Sequence, residues 1–376
     1  MKYFLWLVRI VVGVLFIFSG LVKANDPLGL VYKMKEFFEV LHMGFMEPYA
    51  FAFSIAMIAF EILCGMAVLL GFAFRVFSVL LLLLNMLFTF LTAYAWFTGT
   101  VKECGCFGAC IKISNSATFY KDVVLLVLSI FLFAMRKRVH PLLPKYPNTA
   151  IIILTAFFAF GSQWWALEHL PYYDCLAYKA GNNLWQEMQI PPGATPAVYE
   201  SVMIYEKDGV KKEFTTQNYP WQDTTWKFVD RKDKLIKEAT GEPLVRDFTL
   251  TDYDGNDHTQ EILTAKGYTF LLFVRDANSA REDNMDRLHN IITEARKQNI
   301  NFYVVTSSDK KDAMALQQKW NMPGIDFLQL DATVTKTVMR SNPGLMLIKD
   351  SVIMNKWSYR DYPKGISMQS GKLELQ

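Results

Sequence analysis

Four cysteines are the residues of this chain best suited to chemistry, and three of them share one short loop. Cys104, Cys106 and Cys110 lie in the sequence Glu-Cys-Gly-Cys-Phe-Gly-Ala-Cys, whereas Cys175 lies much further along the chain. A thiolate can exchange with a disulfide, and thiols in an oxidising compartment tend to form bridges. The loop can therefore hold a structural disulfide, a metal site or a redox-active site.

The spacing of the loop cysteines bears on these alternatives. A Cys-x-Cys bridge would be strained, and strained bridges are the labile ones. A structural zinc ion usually takes four ligands with Cys-x2-Cys spacing, and the five histidines show no ligand spacing. We therefore assign no metal, and a structural staple and a redox-active site stay open.

Apolar segments long enough to span a bilayer flank the cysteine loop. A helix needs about 20 mainly apolar residues to cross the hydrocarbon core. Five segments qualify: Tyr3–Val22, Tyr49–Phe74, Val76–Phe97, Phe119–Met135 and Ala150–Leu167. We expect the first to be an uncleaved span rather than a signal peptide, because Val22-Lys23-Ala24 is a poor cleavage site. The sequence thus predicts a bundle of about five transmembrane helices.

Basic residues near the segment ends predict the orientation. Arg136, Lys137 and Arg138 lie between the fourth and fifth segments, and such clusters stay in the cytoplasm. The cysteine loop and the chain after the fifth segment then lie outside, in the periplasm of a Gram-negative cell. A tether of about eight residues, at most roughly 28 Å long, lets Cys175 reach that loop. We predict that Cys175 pairs, permanently or transiently, with one of its three cysteines.

Glu61 is a further candidate because it lies near the middle of the second apolar segment. An ionisable group at bilayer depth is costly and usually faces the bundle interior. The functional alternatives are a proton carrier and a quinone-site ligand. The structural ones are an ion pair with Arg9 or Lys23 and a neutral, hydrogen-bonded carboxyl. Cys64 is expected to be a small core residue, and Asn85 an interhelical contact.

The second half of the chain has the composition of a water-soluble region. Val198–Glu206 and Val210–Thr216 are expected to form a hairpin, whereas Trp221–Lys237 has no clear assignment. Residues 247–256 predict a strand, a turn and a returning strand. Strands then alternate with helices, which favours parallel pairing, and the chain closes with an antiparallel pair. The predicted strands are Tyr268–Val274, Asn301–Thr306, Phe327–Leu330, Leu345–Ile348 and Val352–Trp357, and the helices are Ala280–Gln298, Lys310–Trp320 and Thr333–Arg340.

Residues 247–357 resemble the thioredoxin fold of peroxiredoxin-like and TlpA-like proteins. The likeness rests on the opening Asp-Phe-Thr-Leu-Thr-Asp and on the proline before a late strand, and it implies a cis bond before Pro343. Where that family carries Cys-x-x-Cys, residues 276–279 read Asp-Ala-Asn-Ser, and no cysteine follows Cys175. Because thiol–disulfide exchange needs a thiolate, we predict a binding or scaffolding role for this domain.

The membrane half resembles the DoxX/MauE superfamily of four-helix membrane proteins over roughly residues 1–138. The matching stretches are Arg9–Gly13, Phe18–Lys23, Glu61–Gly65, Cys104–Gly108 and Lys121-Asp122. MauE-type members are implicated in disulfide formation in exported proteins, which the resemblance implies for this chain. The fifth segment and the region behind it are additions, and such longer chains look like DoxX-type proteins of Bacteroidota.

These patterns predict a multi-domain protein, in which an α-helical transmembrane bundle of about five spans precedes a small β segment and an α/β thioredoxin-like domain. The four-helix bundle covers 1–138, and a fifth transmembrane helix with its cytoplasmic loop covers 139–170. A periplasmic connector with a β-hairpin covers 171–246. The thioredoxin-like domain without Cys-x-x-Cys covers 247–376.

The predicted function is thiol–disulfide redox chemistry at the bacterial inner membrane, with a soluble domain that binds a partner or client. Its candidate catalytic residues are Cys104, Cys106, Cys110, Cys175 and Glu61. A quinone is the candidate electron acceptor, although no quinone motif is visible. The alternative is a non-enzymatic subunit or scaffold of an envelope complex with structural disulfides. Expected partners are periplasmic or membrane proteins and the lipid bilayer, and a net charge of +3 gives no basic face for nucleic acid.

Overall fold

The computed structural model has a helical first half and a β-rich second half, as the coarse fold prediction requires. It describes residues 2–101, 105, 108, 110–111, 113–195, 198–207, 209–215, 218, 220, 223, 225–237 and 240–376.

The first half is built from long apolar helices. They are α1 (Lys2–Asn25), α2 (Pro27–Val40), α3 (Ala50–Leu70), α4 (Phe74–Thr98), α5 (Asn115–Ala134) and α6 (Lys145–Glu168), and a 3-10 turn, Gly44–Tyr49, leads into α3. Among the described residues, five helices are long and apolar enough to cross a membrane, namely all of these except α2. The prediction of about five spans is confirmed, although α5 and α6 begin before the predicted segments.

Helix α2 lies between the first two spans, in a segment for which the sequence predicts no helix. Asp26 caps the helix by accepting a hydrogen bond from the backbone N–H of Gly29, and Pro27 occupies its first turn. Met34 and Phe37 are buried on the side that faces the bundle. At 14 residues α2 is too short to span a bilayer, so the span criterion could not find it.

Helices α1 and α3 approach each other closely at glycines. A Cβ atom on Gly65 would lie 2.6 Å from the carbonyl oxygen of Gly13 and 2.9 Å from the backbone nitrogen of Ile17. Small residues at such crossings let two helix backbones touch and gain van der Waals contact, which is a main source of helix association in lipid. This contact fixes the relative position of the two helices that carry Lys23 and Glu61.

A small antiparallel sheet follows the short helix α7 (Leu184–Glu187). Its strands are β1 (Val198–Lys207), β2 (Val210–Thr215) and β3 (Lys227–Lys237), in the order β2-β1-β3. The predicted hairpin is β1 and β2, with Lys207 opposite Val210. The unassigned segment after Trp221 supplies β3, which pairs with β1 along its length.

The last part of the chain forms a five-stranded sheet of order β6-β5-β4-β7-β8. Its elements are α8 (Thr259–Thr264), β4 (Tyr268–Val274), α9 (Met285–Lys297), β5 (Asn301–Thr306), α10 (Lys310–Lys319), β6 (Asp326–Gln329), α11 (Ala332–Val338), β7 (Gly344–Lys349) and β8 (Val352–Ser358), followed by a hairpin of β9 (Ile366–Gln369) and β10 (Lys372–Leu375). Strands β4, β5 and β6 pair in parallel and β7 pairs antiparallel with β8, as predicted. Strand β7 also pairs antiparallel with β4, which the sequence did not predict.

Both faces of this sheet are covered. Alternate strand residues point to opposite faces, so Leu271 and Phe273 enter one core while Phe270 and Leu272 enter the other. The bond between Asn342 and Pro343 is cis, which confirms that prediction.

Two details of the last part differ from the predictions. Within residues 247–256 the described backbone forms turns and only isolated bridges, such as Thr251 with Asp257, instead of the expected strand pair. Helix α9 begins at Met285 because the preceding residues form a short 3-10 turn, Ala277–Ser279, and a connecting segment.

The α1–α3 crossing gives a stability prediction. Gly65→Ala should lower the melting temperature of the purified protein, because the new methyl group collides with α1 backbone, and overpacking of this kind costs about 1–3 kcal/mol. Gly161→Ala on α6 is the control, since nothing lies within 4 Å of a Cβ there. Thermal unfolding in detergent measures both, and equal melting temperatures for the two variants would contradict the packing account.

Candidate functional site

A disulfide joins the loop after α4 to the segment after α6. It links Cys110 and Cys175, whose Cα atoms lie 4.8 Å apart. This confirms the prediction that Cys175 pairs with one of the loop cysteines. Cys104 and Cys106 lie outside the described residues, so their roles stay predictions.

The segment that carries Cys175 is held from two sides. At the end of α1, the Asn25 amide donates to the Tyr173 carbonyl and accepts from the Tyr173 backbone N–H, both at 2.9 Å. On the other side, Lys356 of β8 contacts the Asp174 carboxylate at 2.6 Å. Both residues that precede Cys175 are therefore fixed by contacts independent of the disulfide, which places its sulfur beside the loop after α4.

A second ion pair, between Asp26 and Arg340, lies close to this junction. Arg340 donates from Nε to Oδ1 at 2.9 Å and from Nη2 to Oδ2 at 2.8 Å, and the side chains are only 11% and 9% exposed. Such bidentate geometry fixes orientation as well as distance. Burial lowers the pKa of the Lys356 ammonium, while the Asp174 carboxylate opposes this shift. The two pairs thus form a largely desolvated charge cluster between the bundle and the β-rich region after α6, residues 170–376, which the sequence predicts to be soluble.

Further contacts extend the interface across the bundle end. Arg275, which follows β4, donates to the Tyr32 hydroxyl of α2 at 2.5 Å. At the end of α6, Glu168 accepts from the Tyr359 hydroxyl at 2.8 Å and from Arg360 at 2.7 Å. Burial raises the pKa of Tyr359 to about 12, so its hydroxyl remains a donor at neutral pH. The soluble region is therefore anchored to α1, α2 and α6.

Glu61 is fully buried and paired with Lys23. The Lys23 ammonium lies 2.5 Å from one carboxylate oxygen of Glu61, and the Ser19 hydroxyl donates to the other at 3.0 Å. Of the structural alternatives for Glu61 that the sequence left open, the structure shows the ion pair with Lys23. Both carboxylate oxygens have partners, so packing alone accounts for the residue; a role for Glu61 in proton transfer stays a prediction.

The other polar residues of the spans have structural partners. Arg9 does not pair with Glu61 and instead donates to the Leu69 carbonyl at 2.9 Å, near the end of α3. Asn85 donates to the Ser129 hydroxyl at 2.5 Å, which confirms it as a contact between α4 and α5. Cys64 is a buried free thiol, as expected of a core residue.

A cleft of about 310 Å³ lies between α2, α11 and the cysteine loop. Gly105 and Gly108 of that loop and Leu176, which follows Cys175, form part of its wall. The cleft therefore borders the region of the cysteines. Across the described ranges of the chain, no group of three or more His, Cys, Asp or Glu residues could hold a metal ion.

Two family models match parts of the chain. Residues 1–135 match the model described as methylamine utilisation protein MauE, and residues 199–238 match one described as a domain of unknown function (DUF8463). No curated protein matches the chain. The first match covers α1 to α5, so a MauE family domain forms the membrane bundle as far as α5. The second covers most of the sheet β2-β1-β3.

The buried ion pair gives the next prediction. Lys23→Met leaves the Glu61 carboxylate buried without its partner, and breaking such a pair costs about 3–5 kcal/mol. The double variant Lys23→Met/Glu61→Gln should recover part of this loss, because no uncompensated charge remains. Lys35→Met is the matched control, since its pair with Glu47 is 44% and 55% exposed and such pairs are worth about 0–1 kcal/mol. Equal destabilisation by Lys23→Met and Lys35→Met in thermal unfolding would refute this prediction.

Proposed function

We propose that this chain is an integral protein of the bacterial inner membrane that takes part in thiol–disulfide exchange on the periplasmic side. The observation that carries the proposal is the Cys110–Cys175 disulfide. It couples the loop of the MauE family domain to the soluble region, and that loop holds two further cysteines, Cys104 and Cys106. Disulfide exchange needs a thiolate that attacks a disulfide sulfur, and further cysteines in the same short loop of the sequence can supply one.

The proposed chemistry is oxidation of a client dithiol. One client thiolate attacks a sulfur of the Cys110–Cys175 bridge and forms a mixed disulfide, and the second client thiolate resolves it. The client loses two electrons and two protons and gains a disulfide, while Cys110 and Cys175 become thiols. A disulfide between Cys104 and Cys106 then takes up these two electrons and two protons by exchange, which re-forms the Cys110–Cys175 bridge and leaves Cys104 and Cys106 as thiols. A membrane quinone, reduced to the quinol, is the proposed final acceptor.

The surroundings of Cys175 are compatible with this chemistry. Lys356 contacts the residue before it, and Arg340 lies in the same charge cluster. Positive groups near a cysteine favour its thiolate, which is both the attacking and the leaving form. Asp174 and Asp26 offset part of that positive charge.

The proposed role of the soluble domain is to bind rather than to catalyse. Three parallel strands with an antiparallel pair beside them support a thioredoxin-like assignment. Asn342 donates to the Asp276 carbonyl at 3.0 Å. Residues 276–279, where the resemblance would place Cys-x-x-Cys, therefore begin beside Pro343. The adjacent Arg275 and Arg340 contact α2, which means that this face docks on the chain's own bundle. A client would therefore meet the domain at the cleft or on another face.

The proposed orientation has structural support. Helix α5 starts near the cysteine loop and ends at the basic residues 136–138, so this cluster lies at the bundle end away from the Cys110–Cys175 disulfide. A basic cluster at one end of the bundle favours a cytoplasmic position for that end. The disulfide is consistent with an oxidising compartment at the other end.

The second candidate function is a non-enzymatic subunit of an envelope complex. The observation that favours it is the density of fixed contacts around the bridge: Asn25 with Tyr173, Asp174 with Lys356, and Asp26 with Arg340. A disulfide in such a setting can serve as a staple that pins the soluble region to the bundle.

The reduction potential of the bridge separates the two functions. Full-length protein is equilibrated with glutathione redox buffers, the free thiols are alkylated, and the Cys110 and Cys175 peptides are quantified. A potential in the range of glutathione buffers indicates an exchanging bridge, whereas one below about −300 mV is typical of structural bridges. Cys64→Ser, which removes the buried free thiol, should leave the value unchanged.

The orientation has its own test. Alkaline phosphatase fused after residue 376 should be active, because the basic loop between α5 and α6 is held in the cytoplasm and one span follows it. A fusion after Arg138 is the matched control and should be inactive. Reversal of the two activities would overturn the periplasmic assignment and the redox function with it.

A further inference from the structure

Three cationic side chains of the soluble region converge on one aromatic ring of α2. The Arg340 guanidinium lies 5.4 Å from the centroid of the Tyr32 ring, and the Lys336 ammonium lies 5.8 Å from it. Arg275 reaches the hydroxyl of the same tyrosine. Cation–π attraction explains part of this arrangement, but such contacts are individually weak, and the cations repel one another.

The positive charge at this place is only partly compensated. Arg340 is paired with Asp26, whereas none of the ion pairs among the described residues involves Arg275 or Lys336. Both side chains are half-buried, where charge repulsion is screened less than at an open surface. A bound anion would supply the missing negative charge.

The cleft beside Tyr32 has room and donors for such an anion. Its walls include four cations, Lys23, Lys33, Lys336 and Arg340. Lys23 is paired with Glu61, Lys33 with Glu36 and Arg340 with Asp26, so among the described lining residues Lys336 is the cation without an ion pair. The volume of about 310 Å³ matches a small polar group rather than a folded protein. Ammonium and guanidinium donors are usual ligands of a phosphate.

An apolar cavity adjoins the cleft. It has about 40 Å³ and shares Lys23, Leu30, Lys33 and Gly105 with the cleft. The rest of its wall belongs to α2, α3 and α4 and is mainly apolar: Met34, Phe37, Met57, Phe88, Leu91 and Thr92. A ligand that fills both spaces has an anionic head and an apolar chain whose first carbons enter between these helices.

We propose that this cleft binds the phosphate group of an anionic lipid, with the start of an acyl chain in the adjoining apolar cavity. Lys336 supplies the charge, and Arg340 lies beside it in the wall of the cleft. The cleft lies where the spans meet the soluble region, which is the level of lipid headgroups. The lipid would then join α2 to α11 and strengthen the docking of the soluble region. This inference does not depend on the redox function.

The test uses delipidated full-length protein in detergent and follows its melting temperature. The added probes are dioleoyl-phosphatidylglycerol, dioleoyl-phosphatidylcholine and inorganic phosphate. Phosphatidylglycerol should raise the melting temperature more than phosphatidylcholine, since a ligand of the folded state stabilises it by mass action. Lys336→Met should weaken the apparent affinity roughly tenfold, the loss expected for one charge-assisted contact. Lys35→Met is the control and should behave like the wild type, because Lys35 lies on α2 but outside the cleft.

Each result decides one part of the proposal. Equal shifts with both lipids, or an equal phosphatidylglycerol response in Lys336→Met and Lys35→Met, would overturn the site. If inorganic phosphate alone gives the full shift and this shift is lost in Lys336→Met, the phosphate site stands and the lipid is excluded as its source. If Lys336→Met is not recovered as a folded protein, Lys336→Gln takes its place. The redox titration of the Cys110–Cys175 bridge is scored separately, so failure of one proposal leaves the other measurable.

Discussion

The buried ion pair between Asp26 and Arg340 is the contact on which the arrangement of the two halves depends. The Asp26 carboxylate makes two kinds of contact: it caps α2, and it accepts hydrogen bonds from the guanidinium of Arg340. The start of α2 and the end of α11 are thereby fixed together. A desolvated pair of this kind adds little net stability, but it is costly to break once the surrounding surfaces are in place. It therefore selects one orientation of the soluble region over others.

The Cys110–Cys175 bridge follows from this orientation. With α2 and α11 joined, Asn25 meets Tyr173 and Lys356 meets Asp174, so the chain before Cys175 has little freedom left. The bridge closes a junction that weaker contacts have already aligned. Such an alignment suits a staple, and it equally suits exchange, since an exchanging bridge has to re-form in the same place after each reduction.

The polar residues inside the bundle satisfy one another. Glu61 is neutralised by Lys23, and Asn85 is bonded to Ser129, so neither faces lipid alone. Close packing of Gly13 against Gly65 brings α1 and α3 near enough for the first of these pairs to form. The charge of Lys23 thus serves both the ion pair and the wall of the cleft, which connects the membrane interior to the proposed phosphate site.

Local signals were sufficient for much of this protein. Long apolar segments predicted the five spans, because a bilayer imposes a length that few other structures require. Alternating strands and helices predicted the parallel strands β4, β5 and β6, and the tether length put the loop after α4 within reach of Cys175. Helix α2 and strand β3 were not predicted. Helix α2 is too short for the span criterion, and β3 is too polar to show a clear alternation of apolar and polar residues.

The sequence by itself determined the spans, the parallel pairing of β4, β5 and β6 and the cysteines within reach of each other, because these follow from apolar length, periodicity and chain connectivity. Only the tertiary structure decided that Glu61 pairs with Lys23 rather than with Arg9, that Cys110 is the partner of Cys175, and that Arg340 docks on Asp26. These are choices among residues far apart in the chain. These pairings result from the packing of α1 on α3 and of α11 against α2. No local sequence pattern predicts which of these surfaces will come into contact.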